Sequence, residues 1–158
     1  TINGNSTFDS CQFEGNVTIN GESTFYNCNF SNGNVTITAN SNIINCNFSN
    51  GNVKIDGNAD VTLKETTNIL GTLTIEEGST LTNSGNLSSV FATTFGEIPP
   101  SSLILVYGKL TNDENSVINA YINLFFGTNS QPIPEPANIT LETGSSLTNN
   151  GTINGNIN

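Results

Sequence analysis

Residues Ser23–Asn40 read STFYNCNFSNGNVTITAN, and the segments on either side repeat the pattern: Ser6–Glu22 is STFDSCQFEGNVTINGE and Ser41–Asn58 is SNIINCNFSNGNVKIDGN. Aligned, they place Cys11, Cys28 and Cys46 in one column and Phe13, Phe30 and Phe48 in a second. Val17, Val35 and Val53 form a third column, and Ile19, Ile37 and Ile55 a fourth. Gly15, Gly33 and Gly51 mark a shared turn. A period of 17 to 18 residues is short for helical repeats and suits one coil of stacked strands. Apolar residues alternate within each unit. Cys11 and Phe13 face one way, as do Val17 and Ile19 beyond the turn, while Gln12 and Thr18 face the other. The one-residue difference between units falls where FEGN becomes FSNGN, a turn, so strand register survives it.

The pattern predicts an all-β, single-domain parallel β-helix (β-solenoid) with coils of about 17–20 residues. Successive coils would lie about 4.8 Å apart, turning each column into a ladder of like side chains. Residues 1–89 read as regular coils, and residues 138–158 return to that style. LTIEEGSTLTNSGNL from Leu73 matches ITLETGSSLTNNGTI from Ile139, sharing Glu76/Glu142, Leu81/Leu147, Asn83/Asn149 and Gly85/Gly151. Residues 90–137 hold all five prolines (Pro99, Pro100, Pro132, Pro134, Pro136) and the densest apolar strings, SLILVYGKL and INAYINLFF. They read as an irregular middle insertion of longer coils and loops.

Composition agrees. Only 34% of residues are hydrophobic and 10% charged, so the polarity comes from Asn, Thr, Ser and Gly, which disfavour helices and suit short strands joined by tight turns. Disorder is the competing reading of so polar a chain, and the recurrence of apolar residues in register argues against it. A net charge of −10, with three lysines and no Arg or His, repels nucleic acid and lacks a polybasic membrane anchor. The longest apolar run, Leu103 to Tyr107, is strand-sized, so no membrane insertion is expected. A start at Thr1 together with this composition leads us to expect a secreted, extracellular or cell-surface protein.

Both extremes of the sequence contain TINGN: Thr1, Ile2 and Asn3 open it at one end, Thr152, Ile153 and Asn154 at the other. No amphipathic helix stands at either end, and an open sheet edge templates pairing with another chain. The expectation is head-to-tail stacking of copies with the ladders continuing, a heterologous contact that builds open filaments or large rings.

Catalytic and ligand chemistry is thin. The three cysteines read either as a buried column of free thiols or as a Cys11–Cys28 or Cys28–Cys46 bridge that leaves one thiol for a partner subunit. Without a CxxC motif or His a zinc site is not expected. Neither an EF-hand nor a GGxGxD repeat is present, which leaves only weak surface calcium sites and no expected cofactor. Glycoside hydrolysis needs two carboxylates across a groove, whereas Asp56 with Asp60, and Glu76 with Glu77, sit in variable turns. We therefore expect no enzyme. Ice binding would need a flat TxT array, but the column Thr18, Thr36 continues to Lys54 and its neighbour runs Asn20, Thr38, Asp56. Candidate glycosylation sites follow the N-x-S/T pattern at Asn5, Asn16, Asn29, Asn34, Asn47, Asn86, Asn138 and Asn150, about as many as this composition yields by chance.

FYNCNFSNGNVTI resembles the F-x-N-C-x-F-S-N coils of adhesin-like parallel β-helix surface proteins of bacteria and archaea, those of methanogens included. GSSLTNNGTINGNIN is similar to autotransporter and haemagglutinin passenger repeats. The resemblance covers about two thirds of the chain and omits Val90 to Ala137. It implies fold, not ligand. Large adhesins also carry an anchor or transport domain, which we do not expect here. The resemblance therefore points to a self-assembling structural subunit of a filament, sheath or S-layer whose partner is itself. The second reading is an adhesin module that binds surface glycans or partner cells.

Overall fold

The structure is a computed structural model that describes residues 1–94, 103–125 and 133–158; Pro99, Pro100, Phe126 and Pro132 lie outside the described residues. Among the described residues every regular element is a strand, and the strands form two sheets built almost wholly of parallel pairs. The smaller sheet stacks Val17–Ile19, Val35–Ile37, Val53–Ile55, Leu73–Ile75, Ile104–Val106, Asn138–Leu141 and Asn156–Ile157. Each strand pairs in register with its equivalent from the next repeat, as Val17↔Val35 and Ile19↔Ile37 do. Valine and isoleucine are favoured here because a branched side chain packs well on a pleated surface. The central residue of each triplet points outward, giving the alternation of buried Val17 and Ile19 about half-buried Thr18.

The larger sheet begins with Ser6–Asp9, Ser23–Tyr26 and Ser41–Ile44, which pair with one another and then with the long strand Asp60–Leu70. Three short strands, Gln12–Glu14, Asn29–Ser31 and Asn47–Ser49, stack beside them, and their line also joins Asp60–Leu70. Between the two lines the chain turns a corner at Ser10, Asn27 and Asn45, with φ of 54°, 51° and 51°. Asparagine tolerates this left-handed region better than most residues, which is why FYNC and IINC carry Asn there. The extra residue of the longer repeats is absorbed the same way, by Asn32 and Asn50 at φ of 58° and 63°. Glycine is obligatory at the next corner: a Cβ on Gly33 would lie 2.2 Å from the Gly15 carbonyl carbon, and one on Gly51 would lie 2.0 Å from the Gly33 oxygen.

The core is a set of columns running the length of the stack. Phe13, Phe30 and Phe48 lie face to face, with centroids 4.8 and 4.7 Å apart and planes within 10° and 6° of parallel. Phe8 stacks on Phe25 at 5.1 Å, and the two aromatic columns meet edge to face. These separations match the spacing of adjacent strands, so the ladder follows from the backbone.

The columns run on through the middle of the chain. Ile104 bridges Leu73 and Ile139, and Leu110 bridges Leu81 and Leu147, so the two matching segments at Leu73 and Ile139 are separated by one further rung. That rung carries the same Leu-Thr-Asn triplet, Leu110–Asn112. The longer circumference comes from Thr80–Thr94 and Val117–Phe125, which pair in parallel and run past the ends of the shorter strands. Ile133–Pro136 folds back antiparallel on Val117–Phe125.

Candidate functional site: the outer rungs of the stack

The chemistry of the two outermost rungs follows from the columns they terminate. At the N-terminal edge Ile2, Phe8, Cys11 and Phe13 are only half-buried, although their counterparts one rung in, Ile19, Phe25, Cys28 and Phe30, are fully buried. At the C-terminal edge Leu141, Leu147 and Ile153 are half-buried in the same way. Both edges thus leave one flank of their core side chains uncovered, beside strands that are paired on one side only.

Register relates the edges. Ile2 bridges Ile19, and Ile157 pairs with Ile139 in the column that begins at Val17, so the two stand in adjacent columns of the smaller sheet. The repeated TINGN does not itself mark this continuity. Thr1 and Ile2 run along the smaller sheet, whereas Thr152–Asn154 lies in the larger one beside Val117–Asn119. A short Thr-Ile strand followed by an Asn-Gly turn fits either sheet, so identical strings occupy different places in the cross-section.

Polar ladders line the columns. Outside, Asn16 Oδ1 accepts from the Asn34 N–H at 2.8 Å, Asn34 Oδ1 from Asn52 N–H at 2.9 Å, and Asn52 Oδ1 from Thr72 N–H at 2.9 Å. Inside the last rungs, Asn83 Nδ2 donates to Asn112 Oδ1 at 2.8 Å and Asn112 Nδ2 to Asn149 Oδ1 at 2.9 Å. The same two amides reach the main-chain oxygens of Val117 and Thr152, at 3.0 and 3.1 Å. Above Asn83 the column holds Leu63, Ile43, Phe25 and Phe8, and Asn83 Oδ1 is buried without a partner among the described residues. The Asn83/Asn149 match was visible in the sequence, but burial of the column was not, because Asn-rich turns surround it.

The thiols are free: Cys28 and Cys46 are buried and Cys11 is half-buried. Burial pushes the Cys46 thiol up to about 11 and raises that of Cys28 as well. Two of the four carboxylates considered for catalysis, Asp56 and Glu76, share one lysine. Lys54 Nζ lies 3.0 Å from Asp56 and 2.9 Å from Glu76 on the outer face, and its hydrogen bond holds the Asp56 carboxyl below its ordinary range. Among the described residues no three His, Cys, Asp or Glu converge as metal ligands. Of the candidate glycosylation sites, Asn5, Asn16, Asn34, Asn86 and Asn150 are exposed, while Asn29, Asn47 and Asn138 are half-buried. Asn47 donates to Asn29 at 3.1 Å, so a glycan on Asn47 Nδ2 would disturb that ladder.

One outward column escaped the alignment of the first three repeats: Thr7, Thr24, Asn42, Thr62, Thr82, Thr111 and Thr148 stack in sequence. Its upper part borders a polar groove of about 580 Å³ with Glu22, Asn40 and Asp60 on the rim. Asn42 interrupts it at the third rung, and its later members lie beyond the three aligned repeats. No protein-family model, curated protein or solved structure matches this chain.

Proposed function

We propose that this chain is a parallel β-solenoid with a structural role outside the cell, and that copies stack head to tail, with lateral contacts, into a filament, sheath or surface layer. The observation that carries the reading is the pair of half-buried apolar rungs at the two edges, where Ile2 and Leu141 end one shared column and Cys11 and Ile153 another. A second copy set on the C-terminal edge would place Cys11 over Ile153 and Ile2 over Leu141, covering apolar surface that each edge leaves open in isolation. The outward Thr column would continue from Thr148 to Thr7 of the next copy. Exposed Tyr26, Leu70 and Tyr107 are available for lateral packing.

Electron microscopy and sedimentation of the purified 158-residue chain test this. Filaments, rings or sheets that lengthen with concentration are expected, and discrete monomers at the highest attainable concentration would overturn it.

A glycan-binding surface is the second reading, favoured by the polar groove beside Thr7, Thr24 and Thr62. It lacks the aromatic platform common in ligand sites. A glycan array with a reproducible hit that is lost in Asp60→Ala would promote it.

A further inference from the structure

The interior is graded from one edge to the other. The column that opens with Phe13 runs through Phe30, Phe48, Ile69, Ser89 and Ala120. It ends at Gly155, where an added Cβ would stand 3.3 Å from that of Ala120. The largest side chain therefore lies at the N-terminal edge and the smallest at the C-terminal edge. Beside Gly155 the surface is hollow. An open cavity of about 420 Å³ has the apolar Ala120, Pro134, Pro136 and Ile153 in its lining together with the polar Glu135 and Asn154, among others. It lies where the last rung passes directly from Asn154 to Asn156, whereas in the rung before it Tyr121–Leu124 and Ile133–Pro136 pair antiparallel.

We infer that this cavity receives the Phe13 ring of a second copy, which fixes both the partner and the seating of the contact. The inference rests on the head-to-tail reading above and gives it a specific lock. Register puts Phe13 of the second copy one rung beyond Gly155, beside this cavity. The hollow has room to spare for the ring, and Ala120, Pro134, Pro136 and Ile153 offer it apolar contact; a buried aromatic is the usual anchor of an interface.

The adjoining outward column agrees in direction. There the later rung donates to the earlier one, Asn47 to Asn29 at 3.1 Å and Asn154 to Asn119 at 2.8 Å. Gln12 of the second copy would carry its amide to Asn154 in the same sense. The column that sets Phe8 above Asn149 is the poorest match. Asn149 Nδ2 would turn to a main-chain carbonyl at the Ser10 corner of the second copy, as Asn83 turns to Val117 and Asn112 to Thr152.

The test replaces Phe13 with photoreactive benzoylphenylalanine in the full chain and irradiates it under assembling conditions. Crosslinks joining residue 13 of one copy to residues 120–158 of another are expected, identified by mass spectrometry of isotopically mixed copies. Crosslinks within one copy only, or to a lateral face, overturn the inference while the observed assembly leaves the head-to-tail reading standing. Absence of any assembly overturns both. As a second measurement, Gly155→Leu, checked for native circular dichroism, fills the hollow and is expected to weaken association at least about tenfold in dissociation constant. An unchanged constant in a folded variant counts against the seating.

Discussion

The aromatic ladder allows a graded test of the stacked core. Phe30 is 1% exposed and stacks on both Phe13 and Phe48. Phe13 stacks only on Phe30, meets Phe8 and Phe25 edge to face, and is half-buried. Removing a fully buried phenyl ring costs about 3–5 kcal/mol, transfer and cavity together. Part of that is the two stacked contacts, worth about 0.5–1.5 kcal/mol each. Phe13→Ala leaves no closed cavity and loses one stacked partner, so about half the cost of Phe30→Ala is expected. For a chain of this length each kcal/mol moves the melting temperature by about 2–4 °C. Phe30→Ala should therefore lower it by roughly 6–20 °C, and Phe13→Ala by roughly half as much. Far-ultraviolet circular dichroism of dilute protein during heating and in urea reads both, dilution keeping the edges unpaired. Equal losses for the two variants, or a loss below about 1.5 kcal/mol for Phe30→Ala, would refute a core held together by stacked neighbours.

Three other outcomes follow from particular contacts. Gly51→Ala drives a methyl into the Gly33 carbonyl at 2.0 Å and should destabilise the chain by about 3 kcal/mol or more, whereas Gly4→Ala meets nothing within 4 Å and should be near neutral; soluble yield and urea midpoints compare them. Asn112→Asp places carboxylate oxygens against the Ser116 and Thr152 carbonyls, costing about 3 kcal/mol at neutral pH, with stability recovering as acid protonates the group; a midpoint unmoved between pH 7 and pH 4 would count against it. Cys46 binds its proton more tightly in the folded state than unfolded, so its contribution is intact below its ordinary value of 9.0 and is lost as pH rises toward about 11. Thermal melts should accordingly fall across that window, less so in Cys46→Ser, and iodoacetamide should label half-buried Cys11 well before Cys46.

Legibility in the sequence tracked the fidelity of the repeat. Cys11, Phe13, Val17 and Ile19 could be aligned because three nearly identical units pinned their columns, and the parallel pairing stacks Phe13, Val17 and Ile19 on their equivalents rung by rung. Beyond Asn58 the corners lengthen and register drifts. The match of Leu73 with Ile139 survived, but the rung between them did not stand out, since Leu110–Asn112 is separated from Val117 by a turn with no earlier counterpart. The outer Thr column and the cavity beside Gly155 were hidden for a related reason. Both depend on which rungs are long and which are short, and circumference leaves no periodic mark. The TINGN strings illustrate the opposite hazard, a likeness of letters without a likeness of place.

The corner asparagines and the glycine column have a consequence for how such a chain could change over generations. From Ser6 to Ser49 each rung offers its neighbours nearly the same side chains at nearly the same heights. Excising Ser23–Asn40, or copying it in tandem, would bring Phe13 against Phe48 or add another Phe to the pile, with both flanking corners unaltered. Length in this half of the molecule is therefore editable in whole units, each worth about 4.8 Å of height. The graded half beyond Ile69 has no such freedom, because its members differ in girth and none can stand in for another.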